Sequence, residues 1–284
     1  MFNTNPFDAV TALISTDIQQ GYIILMAVLV FLGTVLDMMH KKSAKYFSLD
    51  TEKNNKNAKR TVGGGEKAGL AIGVLINEVI TSGEFANVKR RLSHLLSMYG
   101  FIFFVVSTAV MIFGLSEGAI WAQLWHIGAI MLCVGGYWFW FFIRVDVNAE
   151  GAKWYKLVKA DMFILGLLLT ATFGLLWSYL QSTGNGGAVA DMGWTTLFFV
   201  LFVISNTFLF STVMWSKFAH MFFKPAAALQ KRVAHADGGA LNLPADFDLT
   251  DPEVHAKYPD VPMYMGKNPP NMGPGIRREP PNHY

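Results

Sequence analysis

Charge is scarce in this chain. Only 15% of its 284 residues are charged, while 52% are hydrophobic. A soluble domain carries more of the first and less of the second, so the imbalance argues against one. The formal net charge of +3 is too small to imply a nucleic-acid partner. There is one cysteine, Cys133. It has no internal disulfide partner and reads as a small core residue. With no CxxC pair, an iron–sulfur or zinc site held by this chain alone is not expected. Gly63-Gly64-Gly65 lacks the Lys-Ser/Thr that follows in a phosphate loop, which removes the simplest nucleotide site. The first twenty residues contain no Lys or Arg, so the basic start of a cleavable signal peptide is missing.

What the chain has instead is apolar residues in long blocks. A hydrocarbon layer of roughly 30 Å needs about 20 of them as helix. Five blocks qualify, at about 18–39, 94–115, 120–143, 160–180 and 194–223. The fold class they predict is an all-α integral membrane protein, a five-transmembrane-helix bundle within residues 1–233.

The basic residues set its expected orientation. None precedes the first block. The segment 40–93 holds eleven: Lys41, Lys42, Lys45, Lys53, Lys56, Lys59, Arg60, Lys67, Lys89, Arg90 and Arg91. Arg144, Lys153, Lys156 and Lys159 follow the third block, and the rest begin with Lys217 and Lys224. The intervening turns have none. Because basic residues stay on the cytoplasmic side during insertion, the N-terminus is expected outside and the C-terminus in the cytoplasm. The expected location is a bacterial inner membrane, with multiple passes.

The polar stretch 43–65 reads as an irregular cytoplasmic loop, and 66–80 as helical with an apolar patch. Trp121, Trp125, Trp177, Tyr179 and Trp194 read as interfacial anchors. The aromatic run from Tyr137 to Phe142 reads likewise at the inner end of the third block. Asp161 reads as a carboxylate at a helix start, favoured by the dipole. Residues 234–284 form an extended tail rich in Pro, Asp, Asn and Gly, which has little to bury by itself and suits docking on a partner.

Three histidines lie in or beside the spans: His94, His126 and His220. Topology puts His94 and His220 at one depth on the cytoplasmic side, with His126 near the other end. Two imidazoles at one level can ligate a heme iron from both faces, and Arg90, Arg91 and Lys217 could meet its propionates. Histidines at helix ends also simply face interfacial water, and both readings stand at this point.

Arg90-Arg91-Leu92-Ser93-His94-Leu95-Leu96-Ser97-Met98-Tyr99-Gly100-Phe101 resembles the second-helix motif of the five-helix nitrate reductase gamma subunit superfamily. That superfamily includes the quinone-interacting membrane subunits of heterodisulfide-reductase-type complexes. Ser216-Lys217-Phe218-Ala219-His220-Met221-Phe222-Phe223-Lys224-Pro225 resembles its fifth-helix ending. The likeness covers roughly residues 15–230 and is nearest to membrane subunits associated with dissimilatory adenylylsulfate reductase.

The resemblance implies electron transfer between a cytoplasmic oxidoreductase, here adenylylsulfate-reductase-like, and membrane quinone. It implies one inner heme b, held as metal by His94 and His220. The outer heme's two histidine places fall at Phe104 and about Phe202, so a second heme is not expected. A redox subunit with heme and a heme-free anchor remain the two leading functions. A transporter or channel is disfavoured, because the spans carry few charges and no paired broken helices.

Overall fold

In the computed structural model the described residues are 1–41, 43–83, 85, 87–146, 151–214, 220–239, 251–257 and 259. Within helices, the side chains of residues 41, 43, 44, 46, 47, 220 and 222 are also outside the description. Of the described residues 77% are helical, and none forms a strand. The helices are α1 (Thr16–Lys41), α2 (Ser43–Asn57), α3 (Gly64–Val74), α4 (Val88–Phe113), α5 (Ala119–Trp138), α6 (Met162–Thr183), α7 (Trp194–Ser211), α8 (His220–Ala236) and α9 (Pro252–Lys257). Among the described residues five helical segments are long and apolar enough to cross a membrane: Thr16–His40, Val88–Phe113, Ala119–Ile143, Lys159–Thr183 and Trp194–Ser211. This is the architecture of a multi-pass membrane protein. Outward-facing Ile18, Ile24, Phe31, Leu36 and Met39 of α1 stay exposed, as side chains facing lipid do.

The chain divides into two compact units, Met1–Ala44 with Ile80–Lys224, and Lys45–Val79 with Pro225–Tyr284. The first holds the five spans. Glycine sets the α4–α5 seam. A Cβ on Gly128 would lie 2.7 Å from the Gly100 carbonyl oxygen and 2.8 Å from the Phe104 nitrogen, so the backbones of α4 and α5 touch there. Small residues permit this closeness, and in lipid such packing, with hydrogen bonds, is what holds helices together. Ser93 adds one such bond, its hydroxyl donating to the Gly135 carbonyl at 2.8 Å.

The contacts run antiparallel for α4–α5 and α6–α7. Gly135 faces Ser93 and Ser97, Gly166 faces Leu209, and Gly174 faces Phe202. Between α1 and α7 they run parallel: Tyr22 meets Val203 and Thr207, and Gly33 meets Val213. This is the up-and-down order that five successive spans require. At one end a 3-10 turn, Asp8–Ala12, follows Phe7, and both Phe7 and Val10 sit in the core.

In the second unit, α8 ends on groups from the segment after α2. The backbone N–H groups of Lys59 and Arg60 donate to the Asp237 carbonyl at 2.8 and 3.2 Å. Arg60 Nε donates to the Ala236 carbonyl at 2.7 Å. Donors there satisfy carbonyls that the helix itself leaves open. Arg60 also grips Glu66 with both terminal nitrogens, at 2.9 and 2.5 Å. That pair holds the Glu66 carboxyl below its ordinary range and the Arg60 guanidinium above its own, the side-chain hydrogen bond being the larger cause.

Four expectations need correction. The stretch 43–65 is not an irregular loop throughout, because Ser43–Asn57 is helical. Its polar residues hid it: Glu52 and Lys56 pair at 2.8 Å across one turn, and such helices have no apolar stripe to reveal them. The fifth span stops at Ser211, and His220 opens α8 instead of closing that span. Helix α8 also runs through Ala236, past the expected start of the tail, which itself contains α9. Trp125 and Trp177 are fully buried core residues and not interfacial anchors, whereas Tyr179 and Trp194 are exposed. The helical expectation for 66–80 holds, as α3 continued by a π-turn at Leu75–Ile80.

Candidate functional site

His94 stands in the second turn of α4, which Asn87 caps by accepting from the Lys89 and Arg90 N–H groups at 2.9 and 3.3 Å. The segment preceding the helix folds back along it through three bonds. Tyr99 donates to the Ile80 carbonyl at 2.7 Å, and Arg91 Nε to the Thr81 carbonyl at 2.7 Å. Ser82 Oγ lies 3.0 Å from His94 Nδ1. Ser82 is fully buried and takes a left-handed backbone with φ of 48°. That conformation costs a non-glycine residue about 1–2 kcal/mol, and it sets the hydroxyl against the imidazole.

The His94 ring also packs on Phe85, centroids 4.8 Å apart. Two cations flank the same phenyl ring, Arg90 at 5.8 Å and Lys224 at 5.7 Å. The structure therefore gathers His94, Arg90 and Lys224 around Phe85, and turns Arg91 toward the backbone of Thr81. Lys217 lies outside the described residues, as does the side chain of His220. A ligating imidazole carries an outer hydrogen bond on its other nitrogen, and the Ser82 contact gives His94 that feature. On this count His94 fits an axial position.

His126 is placed differently. It is fully buried, its Nδ1–H donates to the Ala122 carbonyl at 2.7 Å, and its Nε2 lies 2.7 Å from Ser178 Oγ. Both ring nitrogens are engaged, Nδ1 within α5 and Nε2 in joining α5 to α6.

A cavity of 530 Å³ opens inside the first unit, among α1, α4, α6 and α7. Among the described residues its wall is almost wholly apolar and carries no Lys, Arg, His, Asp or Glu. Phe104 and Phe202 form part of that wall, with ring centroids 6.3 Å apart and edge to face. These are the two places that the resemblance assigns to an outer heme's histidines. Phenylalanine offers iron no ligand, so the residues here do not fit that group. Behind them, Trp125 stacks on Phe104 at 4.9 Å and Trp177 on Phe202 at 5.4 Å.

Polar atoms punctuate the wall at Gln19 and Tyr22 of α1, Thr108 of α4, Thr170 of α6 and Asn206 of α7. Tyr22 is held by Thr207 at 2.9 Å and accepts from Asn206 Nδ2 at 3.0 Å. Sequence reasoning passed over all five, together with Ser82 and Phe85. Gln19, Tyr22 and Asn206 were detectable singly, as polar groups within apolar spans, where they are costly; Ser82 and Phe85 carried no such signal.

Comparison with protein-family models, curated proteins and solved structures finds no match.

Proposed function

We propose that this chain is the membrane anchor and quinone-interacting electron-transfer subunit of a soluble redox enzyme. The partner is an adenylylsulfate-reductase-like oxidoreductase on the cytoplasmic face of a bacterial inner membrane. The uncharged cavity inside the bundle carries this reading. Its volume lies in the range of small-molecule sites, roughly 300–1,000 Å³, and its lining suits a neutral ring with an apolar chain. The enzyme delivers two electrons, a quinone takes them with two protons, and quinol leaves into the lipid.

The placement of all 23 basic residues supports the orientation, with the N-terminus outside. The basic segment after α1 and the tail then meet the enzyme. His94 and His220 would hold one heme b, with Arg90, Arg91 and Lys217 toward its propionates. A heme there supplies storage for single electrons. One observation favours a heme-free anchor instead: Phe85 already packs on the His94 ring, with centroids 4.8 Å apart.

The test is affinity purification of the full chain from its native membranes. The expected outcome is co-purification of an oxidoreductase that reduces decylubiquinone when given adenosine monophosphate and sulfite. A reduced-minus-oxidised spectrum of the same sample separates the heme-bearing from the heme-free form. Purification without an oxidoreductase, or a complex that leaves decylubiquinone oxidised, would overturn the proposal.

A further inference from the structure

Thr170 has a feature that the rest of the cavity wall lacks. It is 2% exposed, lines the cavity, and its hydroxyl is itself buried with no hydrogen-bond partner among the described residues. A buried hydroxyl left unpaired costs free energy, and in native proteins such a group usually meets a partner. Thr34, Ser107 and Thr195 share that state but do not line the cavity.

The remaining wall narrows what the partner can be. With no Lys, Arg, His, Asp or Glu among the described residues, it offers no countercharge to a phosphate, a carboxylate or an ammonium group. Phe104, Phe199, Phe202 and Phe210 supply flat aromatic surface. Across the cavity, Asn206 and Tyr22 form a fixed polar pair on α7 and α1. The occupant thus needs an oxygen that accepts or shares a hydrogen bond, a flat neutral body, and an apolar extension along α1.

We infer that the cavity is the headgroup site of a neutral carbonyl-bearing ring, a quinone, and that Thr170 is its specificity-determining residue, its buried hydroxyl turning about χ1 to donate to one ring oxygen. This rests on the functional reading above for the class of ligand, and it assigns the place and the contact. A phospholipid could insert only its acyl chains, leaving Thr170 unpaired.

Two buried indoles provide the readout. Trp125 and Trp177 each lie one ring behind the wall, where a quinone bound in the cavity quenches their emission. The purified full-length chain in detergent is titrated with decylubiquinone while tryptophan fluorescence is followed. A saturable quench is expected. Thr170→Val, which keeps the shape and removes the hydroxyl, should weaken apparent affinity about fivefold or more, the loss typical of one hydrogen bond. Thr170→Ser should keep it. Ala27→Phe, which fills the cavity, should abolish the saturable component, and Ala109→Phe serves where that variant does not fold. Phosphatidylethanolamine should not compete.

Unchanged affinity in Thr170→Val, or saturable quenching that survives filling, would overturn the site. Competition by phosphatidylethanolamine would identify an acyl-chain site and overturn it too. The two proposals fail separately. Binding that follows these variants, in a complex that leaves quinone oxidised, removes the electron-transfer reading and keeps the site. Quinone reduction indifferent to Thr170→Val and to filling does the reverse.

Discussion

Arg144 Nη2 meets Asp161 Oδ2 at 2.6 Å, with the arginine side chain 1% exposed and the aspartate 10%. The two residues bracket the segment between α5 and α6. Arg144 also donates to the Lys153 carbonyl at 2.7 Å and the Lys156 carbonyl at 2.5 Å, and its guanidinium lies 4.4 Å over the Trp140 ring. Asp161 accepts from the Val158 N–H at 2.9 Å. One guanidinium thus ties the returning chain to the end of α5.

Breaking one side of a buried, hydrogen-bonded ion pair strands the other charge. Arg144→Met should therefore destabilise the bundle by about 3–5 kcal/mol, read from SDS-induced unfolding in mixed micelles. Arg144→Lys should recover only part, because a point charge cannot serve two carbonyls and a carboxylate together. The double variant Arg144→Met/Asp161→Leu should be more stable than Arg144→Met alone. Equal stability of Arg144→Met and the wild type would remove the clip from the account.

The α4–α5 seam makes a second prediction. A Cβ at Gly128 would stand 2.7 Å from the Gly100 carbonyl oxygen, and one at Gly100 would stand 2.8 Å from the Gly128 carbonyl oxygen. Backbone atoms cannot give way as a side-chain tip can. Gly128→Val should cost about 1–3 kcal/mol in the same unfolding assay. Gly21→Val should not, since nothing lies within 4 Å of a Cβ there.

Arg60 and Glu66 predict a pH dependence in the second unit. The Glu66 carboxyl is held below its unfolded value, chiefly by its hydrogen bonds to Arg60. Its stabilisation is fully present above the unfolded pKa and is lost as pH falls through the folded one. Amide protection factors around Lys59, corrected for the intrinsic exchange rate and followed from pH 6 to pH 3, should therefore fall toward the acid end. Glu66→Gln should flatten that profile, and an unchanged profile would show the pair to be inert.

The five spans were legible because each is a run of about 20 apolar residues, a signal that depends only on composition. What those runs conceal is which side of a helix meets protein. Trp125 and Trp177 therefore looked like interface residues, although both are core, since an indole in an apolar run fits either place. Asp161 looked like a dipole partner because Arg144, 17 residues away, comes near it only after the chain turns back. Helix α2 escaped notice for the opposite reason, having no apolar stripe. The His94 motif was legible, but Ser82 was not, because its role depends on a left-handed turn. The cavity was illegible for a simpler reason: the residues around it are those of any span.

Orientation is tested by reporter fusions. All 23 basic residues fall on one side of a five-span chain, and translocating that side would carry the segment 40–93 across with its eleven cations. Fusions at Gly65 and Gly151 should report from the cytoplasm, and those at Gly118 and Gly186 from outside. A periplasmic signal from Gly65 would invert the scheme and move the His94 cluster to the opposite face.

Heme content is the last prediction, and the histidine geometry makes it specific. Pyridine hemochrome analysis should give one heme or none per chain, because Phe104 and Phe202 provide no second pair. Where one heme is found, His94→Ala or His220→Ala should abolish it. His126→Gln should leave the heme in place, since both nitrogens of that ring are already committed to Ala122 and Ser178. Ser82→Ala separates ligation from scaffolding. It should keep the heme but alter its low-spin EPR signature and midpoint potential, because an axial imidazole relieved of its outer hydrogen bond becomes a weaker donor and is freer to rotate. An EPR signature identical to wild type would confine Ser82 to packing. Two hemes per chain would defeat the assignment, because the second iron would need ligands that neither Phe104 nor Phe202 supplies.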